Sequence, residues 1–431
     1  MLRVTLVTAL LIVPLAGGAR GAEQRPLIGA NYSHWGMSGC DFGGTGILYL
    51  YPASGVVRRQ LAAIRAAGIE TLRLLLWHMH DTTGHSWGIV SSAGGRIGGD
   101  ERANLIRYLE GARATGFKRL TIAFAPEWTN SPLPADDHGY DPSLFDENWG
   151  FIRDVRGLAK QHGPPDTRFN LLNAGAPSDD DVLRAQVVDY ISRLYGRYVD
   201  AFGGEDVTVS TVVNGEADRT RLFNLVSALR KSARPLPRWF ELHVFNDAGQ
   251  ALENLRLADA TLASEGLAQP MTVGDIAYDD GLFAAALRTF ATTSSRPLEE
   301  ALQWPLRADS PCEQMSVQAP YRADEYITAL TGSAPRSTLV AAPSGPVRWV
   351  LRSPYGHQVS GLLAGRYTLT VRDRSGVDNF HLTGPGVNRS TPVAGWTNAV
   401  WRLVLRKGVY RYRSDARGPG SARTFVVMDA G

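Results

Sequence analysis

The stretch "VVRRQLAAIRAAG" (residues 56–68), followed at once by "TLRLLLW" (residues 71–77), decides how the rest of the chain is read. In the first segment Val57, Leu61 and Ile64 recur at helical spacing, one apolar stripe on an otherwise polar helix. The second is a short, almost continuously apolar run, as expected of a strand covered on both faces. The same alternation recurs along the first three quarters of the chain. Strand candidates are "LIGANY" from Leu27, "TLRLLLW" from Thr71, "RLTIAFAP" from Arg119, "RFNLLNAG" from Arg168, "VTVSTVVNG" from Val207, "RWFELHVF" from Arg238, "PMTVGDIAY" from Pro270 and "EALQWPLR" from Glu300. Helical stretches separate them, among them "RAQVVDYISRLYGRYVDAFG", with Val188, Ile191, Tyr195, Val199 and Phe202 on one stripe. Eight strands, each followed by a helix over about 300 residues, predict an α/β fold of the (β/α)₈ barrel type.

In such a barrel the carboxyl ends of the strands carry the chemistry, because eight loops converge there over a filled core. After residue 330 the texture changes. "GSAPRSTLVAAPSGP" reads as a linker, and short alternating strands from "VRWVLRS" to "ARTFVVMD" predict a small all-β antiparallel sandwich of about 85 residues. The expected organisation is a signal peptide at 1–22, a barrel at 23–332, a linker at 333–346 and the sandwich at 347–431.

Composition narrows the function classes. The chain has 431 residues, 44% of them apolar, and a net charge of +3 from 45 Lys and Arg against 42 Asp and Glu. No dense basic run or basic helix face suggests nucleic acid or an anionic membrane. The cations are nearly all arginine, with only Lys118, Lys160, Lys231 and Lys407 as lysines, a bias that reads as genome composition. The N-terminus, "MLRVTLVTALLIVPLAGGARGAEQ", has Arg3, an apolar run and small residues at Ala19 and Gly21, spaced like a cleavage site. It is too short for a spanning helix, so a secreted or periplasmic bacterial protein is expected, with an uncleaved anchor as the alternative. In that oxidising setting Cys40, after the first strand, and Cys312, after the eighth, are expected to form a disulfide across the barrel mouth.

Two resemblances follow from particular residues. "GRYTLTVRDRSGVDNFHLTGPGVNRST" and "VLRKGVYRYRSDARGPGSARTFVV" resemble the plastocyanin-like cupredoxin domains of exported bacterial proteins. The resemblance implies a cupredoxin-like sandwich without its metal. Asp378 stands at the first histidine ligand, Ser414 at the cysteine, Arg417 at the second histidine, and Gly420 or Ser421 at the methionine. A blue-copper site needs the thiolate and two imidazoles, so no copper, no other cofactor and no electron transfer are expected; His381 is not in a ligand position.

The barrel resembles the cellulase-like retaining glycoside hydrolases, whose two glutamates end strands four and seven. Arg73 in "TLRLLLW" matches the arginine the family carries at the end of strand two, and Asn173 the asparagine before the acid/base. His243 in "LHVF" matches the strand-six histidine, with Phe245 where a tyrosine would stand; Asp275 in "VGDIAY" takes the nucleophile position, and Trp304 in "LQWP" the strand-eight tryptophan. The resemblance implies carbohydrate as the partner. It departs at the carboxylates: the acid/base position is Ala174, and Asp275 is a methylene shorter than glutamate. Retention needs two carboxyls about 5–5.5 Å apart, inversion about 6.5–9.5 Å. Glu216 in "VVNGEAD" and Glu127 in "APEW" are the candidate substitutes, although Glu216 also reads as a helix start and Glu127 as an ion-pair partner.

Trp35, Trp77, Trp87, Trp128, Trp149 and Trp304 fall at or beyond strand ends, where an indole can stack on a sugar ring. His34, His78, His80 and His85 cluster near strands one and two without a metal-site pattern, so no metal is expected. The run Asp179, Asp180, Asp181 reads as a helix start. Three functions stay open: an atypical hydrolase of O-glycosidic bonds, a non-catalytic carbohydrate-binding pseudo-glycosidase, and a structural or adaptor protein whose mouth is plugged by the loop 81–99.

Overall fold

The computed structural model describes residues 25–32, 35–36, 42–43, 56–83, 88–133, 140–179, 181–244, 250–276, 281–303, 327, 330, 338–344, 348–352, 359, 361–393 and 396–428. The first part is a ring of parallel strands alternating with helices. The strands are β1 (Leu27–Asn31), β2 (Thr71–Met79), β3 (Arg119–Pro126), β4 (Asp166–Asn170), β5 (Val207–Thr208 and Ser210–Val212), β6 (Phe240–His243), β7 (Met271–Ile276) and β8 (Leu298–Gln303). Around them lie α1 (Val56–Ala66), α2 (Gly99–Thr115), α3 (Phe145–His162), α4 (Arg184–Phe202), α5 (Arg219–Lys231), α6 (Ala251–Ser264) and α7 (Gly281–Thr293). Each strand pairs with its sequence neighbours, and β1 closes onto β8. β5 is split at Val209: its first segment pairs with β4 and its second with β6. The (β/α)₈ barrel followed by a β-sandwich is the architecture expected from the sequence.

Strand alternation sorts side chains between two cores. On β2, Leu72, Leu74 and Leu76 join the large cluster beneath the helices, while Leu75 packs with Ala123, Ala125 and Trp77 in a separate small cluster. β3 repeats the pattern with Leu120, Ile122 and Phe124 on the helix side. β6 sends Phe240 and Leu242 to the helices, which leaves Glu241 and His243 for the axis. At the opposite, N-terminal end, Arg119 at the start of β3 bridges Asp166 at 2.7 Å and Glu300 at 3.4 Å.

Several local expectations shift. The buried stripe of α4 runs through Val187, Ile191, Tyr195 and Tyr198, with Val188, Val199 and Phe202 only partly covered. Tyr198 turns the helix because its hydroxyl donates to Asp206 at 2.8 Å and accepts from Arg156 Nε at 2.7 Å. That helix begins at Arg184, and Asp179 accepts from Arg184 and Asn224 instead of capping it. Trp149, expected near a strand end, lies within α3 and is buried against Tyr198 and Phe202. Of the loop 81–99, Val90 and Ser91 extend the barrel sheet beside the end of β2.

The sandwich comprises β9 (Thr338–Ser344), β10 (Arg348–Arg352), β11 (Gly361–Leu363), β12 (Gly365–Asp373), β13 (His381–Gly384), β14 (Val387–Ser390), β15 (Thr397–Leu405), β16 (Gly408–Arg413) and β17 (Arg423–Met428). A four-stranded sheet, β10-β9-β12-β15, faces a five-stranded one, β11-β17-β16-β13-β14. Both are mixed, not purely antiparallel: β9 runs parallel to β12, and β11 parallel to β17. β9 also lies inside the stretch read as a linker. Its Pro343 sits beyond the residues that pair with β12, where a missing N–H costs little. Met428 at the end of β17 packs on the barrel's apolar cluster. Among the described residues no helix is long and apolar enough to cross a membrane. The N-terminal segment, Cys40 and Cys312 lie outside the described residues.

Candidate functional site

The axis side of the strands assembles a charge cluster around Arg73. Its side chain is fully buried (0% exposed), so its N–H groups can find partners only inside the protein. Nη1 donates to Asn31 Oδ1 at 2.9 Å and approaches Asp275 Oδ1 at 3.5 Å. Nη2 lies 2.9 Å from Glu241 Oε1 and donates to Asn173 Oδ1. Strands β1, β2, β6 and β7 and the segment after β4 therefore converge on one guanidinium.

His243 is the second cation. Its Nδ1 lies 2.7 Å from Asp275 Oδ2 and its Nε2 3.5 Å from Glu241 Oε1. Burial opposes the imidazolium, but the carboxylates of Asp275 and Glu241 outweigh it and hold the pKa above the ordinary value. Burial likewise works against the Glu241 carboxylate, yet Arg73, His243 and a 3.0 Å hydrogen bond from Asn170 hold its pKa below the usual range. Two cations thus face two anions, and Asp275 is 2% exposed and Glu241 0%. The quartet is neutral, although Arg73 Nε and Glu241 Oε2 are buried without a hydrogen-bond partner among the described residues.

Gly274 makes the close packing feasible. A Cβ there would stand 2.7 Å from Glu241 Oε1 and 3.0 Å from His243 Nε2. Its carbonyl accepts from Asn31 Nδ2 at 2.8 Å, which ties β1 to the same point.

Above this layer the wall over β2 and β3 is apolar. The pairing of Leu75 with Ala123 and Trp77 with Ala125 sets a half-buried indole over small side chains. Such a ring can stack on the apolar face of a sugar. Trp128 follows β3, half-buried, with φ of 51°. Ala174, beyond β4, has φ of 50°, and its N–H donates to Ser210 Oγ at 2.8 Å. The left-handed region is costly for side chains larger than glycine, about 1–2 kcal/mol per residue. Such strain gathers at functional sites; here two of three non-glycine examples among the described residues flank the same strand ends.

The structure brings Arg73, Asn173, His243 and Asp275 into one constellation. Glu216 does not join it: its side chain is 72% exposed and pairs with Arg219 at 3.0 Å in the turn before α5. Glu127 follows β3, half-buried, its N–H donating to the carbonyl of His78. Trp304 and the side chain of Trp35 lie outside the described residues, as do Phe245, Trp87, His34 and His85. His78 is stacked 4.5 Å from Phe151, and burial alone pushes its pKa down to about 3, so it is a neutral core ring. His80 pairs with Glu147 at 2.7 Å. No cluster that could hold a metal occurs among the described residues. Asn31, Asn170, Ser210 and Glu241 are members that reading the sequence missed. Glu241 alone carried a local signal, being two residues before His243 on one strand and hence on the same face.

In the sandwich, the positions read as vacated copper ligands also meet. Arg417 Nε and Nη2 donate to the two oxygens of Asp378 at 2.7 and 2.9 Å, and Ser414 Oγ donates to Asp378 at 2.8 Å. An ion pair and a hydroxyl thus stand at three of the positions assigned to metal ligands.

No family model matches the chain, and no curated protein matches it. Solved structures with a similar fold include a modular endo-β-1,4-mannanase from Cellulomonas fimi (10% identity, 94% of each chain covered, TM-score 0.42). A β-mannanase from Thermomonospora fusca is 13% identical over 72% of this chain and 89% of its own, with a TM-score of 0.44. The exo-β-1,4-mannosidase Op5Man5 from Opitutaceae bacterium strain TAV5 is 11% identical over 73% and 61%, with a TM-score of 0.46. At such identities and scores nothing about activity transfers from them.

Proposed function

We propose that this is an exported, glycoside-hydrolase-like protein whose barrel mouth binds an oligosaccharide or polysaccharide without hydrolysing it by the two-carboxylate route. One observation carries the reading: the residue after Asn173 offers only a methyl group, while the carboxylate nearest the Asp275 cluster, Glu241, is sealed in an ion pair and held ionised. Hydrolysis needs a carboxylic acid to protonate the leaving oxygen. A glutamate whose pKa is lowered, with no exposed surface, does not donate that proton. The half-buried amide of Asn173 and the half-buried indole of Trp77 instead suit a sugar, with a hydroxyl turned to the amide and a ring face on the indole. The resemblance of Arg73, Asn173, His243 and Asp275 to a glycosidase constellation supports carbohydrate as the ligand class.

The test is a binding and release assay of the mature protein on a panel of neutral plant and bacterial glycans. Binding that falls about tenfold or more in Trp77→Ala, with no reducing ends released, is the expected result. Reducing-end release abolished by Asp275→Ala would overturn it and establish a hydrolase, and Glu127→Gln would then examine the remaining half-buried acid near the mouth.

A further inference from the structure

The two modules use arginine differently. Residues 338–431 contain thirteen Lys and Arg against four Asp and no Glu, a net +9, while the whole chain stands at +3, so the preceding 337 residues stand at −6. A genome-wide arginine bias does not divide one chain in this way. In the barrel Arg102, Arg119, Arg156, Arg168, Arg221 and Arg296 each lie on a carboxylate. In the sandwich the described aspartates are already engaged: Asp373 accepts from Thr391 in the core, Asp378 holds Arg417, and Asp415 holds His381 and Arg413. None of them pairs with an arginine of β12 or β15.

Three of those arginines share one face. In the antiparallel pair of β12 and β15, Arg366 lies opposite Val404, Thr368 opposite Arg402, Thr370 opposite Val400, and Arg372 opposite Asn398. Directly opposed residues and their i+2 neighbours project from the same side of a sheet. Arg366, Arg372 and Arg402 are exposed, as are Val400 (64%) and Val404 (58%). No carboxylate of the described residues forms an ion pair with any of the three. Arg366 and Arg372 stand six residues apart, about 20 Å along the strand, so the face is long and flat. Trp396, 78% exposed, immediately precedes β15 at the Arg372 end. Elongated positive charge with threonine and asparagine between the arginines fits an extended polyanion better than a compact ligand.

We propose that the outer face of the β10-β9-β12-β15 sheet binds an acidic polysaccharide, its arginines pairing with uronate carboxylates. The choice of a glycan among polyanions rests on the barrel reading above; the charge pattern itself does not. A guanidinium meets a carboxylate in a two-pronged geometry, and Trp396 supplies a stacking surface for a sugar ring.

The experiment measures binding of the full chain to polygalacturonate, to neutral galactomannan and to a single-stranded oligonucleotide of matched charge, at low and high salt. The triple substitution Arg366→Gln, Arg372→Gln, Arg402→Gln is expected to weaken polygalacturonate binding roughly tenfold and to flatten its salt dependence. A charge-matched triple on the other sheet, Arg389→Gln, Arg411→Gln, Arg423→Gln, is expected to retain most of it. Equal losses in the two triples, a loss of galactomannan binding in the outer-face triple as large as that of polygalacturonate, or equal binding of the oligonucleotide would each overturn the proposal. Trp77→Ala separates the two readings: polygalacturonate binding is expected to survive it whether or not the barrel binds glycan, and its loss would move the acidic ligand to the barrel.

Discussion

The Arg73 cluster in the barrel and the Asp378–Arg417 bridge in the sandwich use similar side chains to different ends. Arg73, Glu241, His243 and Asp275 are 0–2% exposed; the side chains of Arg417 and Asp378 are 32% and 13% exposed. A buried charge that loses its partner has no water to turn to, while a half-exposed one does. Burial, more than residue type, therefore sets what each ion pair is worth.

The sharpest way to break that comparison is Arg73→Met. It strands Glu241 and Asp275 in the axis, and a loss of about 3–5 kcal/mol in urea unfolding at neutral pH is expected. A loss no greater than that of a surface arginine would mean that water reaches the cluster and that the barrel mouth is wetter than its packing indicates.

A smaller effect is expected from pH. The His243 pKa is raised above 6.5, so its contribution is fully present below pH 6.5 and is lost as pH rises through the folded value. The Glu241 pKa is lowered from 4.5, so its contribution is present above pH 4.5 and is lost as pH falls through its folded value. Barrel stability is thus expected to be greatest between about pH 4.5 and 6.5, and His243→Gln should remove the alkaline limb of the profile. A limb unchanged in that variant would assign the titration to another group.

The smallest effect is expected from Arg417→Gln. The Arg417 guanidinium, first among the causes, holds the Asp378 pKa low, but solvent screens the pair. Its shift in melting midpoint should be roughly a fifth or less of that of Arg73→Met. A comparable shift would show that the sandwich relies on this bridge as a metalloprotein relies on its ion.

Much of this was legible without coordinates. Almost continuously apolar runs announced the barrel strands and alternating ones the sandwich, and the addresses of Asn173, His243 and Asp275 came from the family resemblance; Arg73, expected at the end of strand two, is the third residue of β2. Asn31 and Ser210 were not legible: a polar residue in an apolar run looks the same whether it faces solvent, a helix or the axis. The β9 strand was hidden in a Pro- and Ala-rich stretch because its pairing with β12 is a contact between distant segments. The aromatic stripe of α4 was misplaced by one step because Tyr198 follows its hydroxyl partners on α3 and in the loop before β5, not helical hydrophobicity.

By itself the sequence determined the alternation of strands and helices, the change of texture near residue 330, the alanine after Asn173 and the concentration of positive charge in the last quarter. These are properties of spacing and count, which a chain carries before it folds. Tertiary structure decided which charges meet. Glu241 became a sealed counter-ion of Arg73, Glu216 turned outward to Arg219, and Arg366, Arg372 and Arg402 came to share an open face. Electrostatic energy depends on distance and on the water between charges, and both are fixed only when segments remote in sequence are packed together.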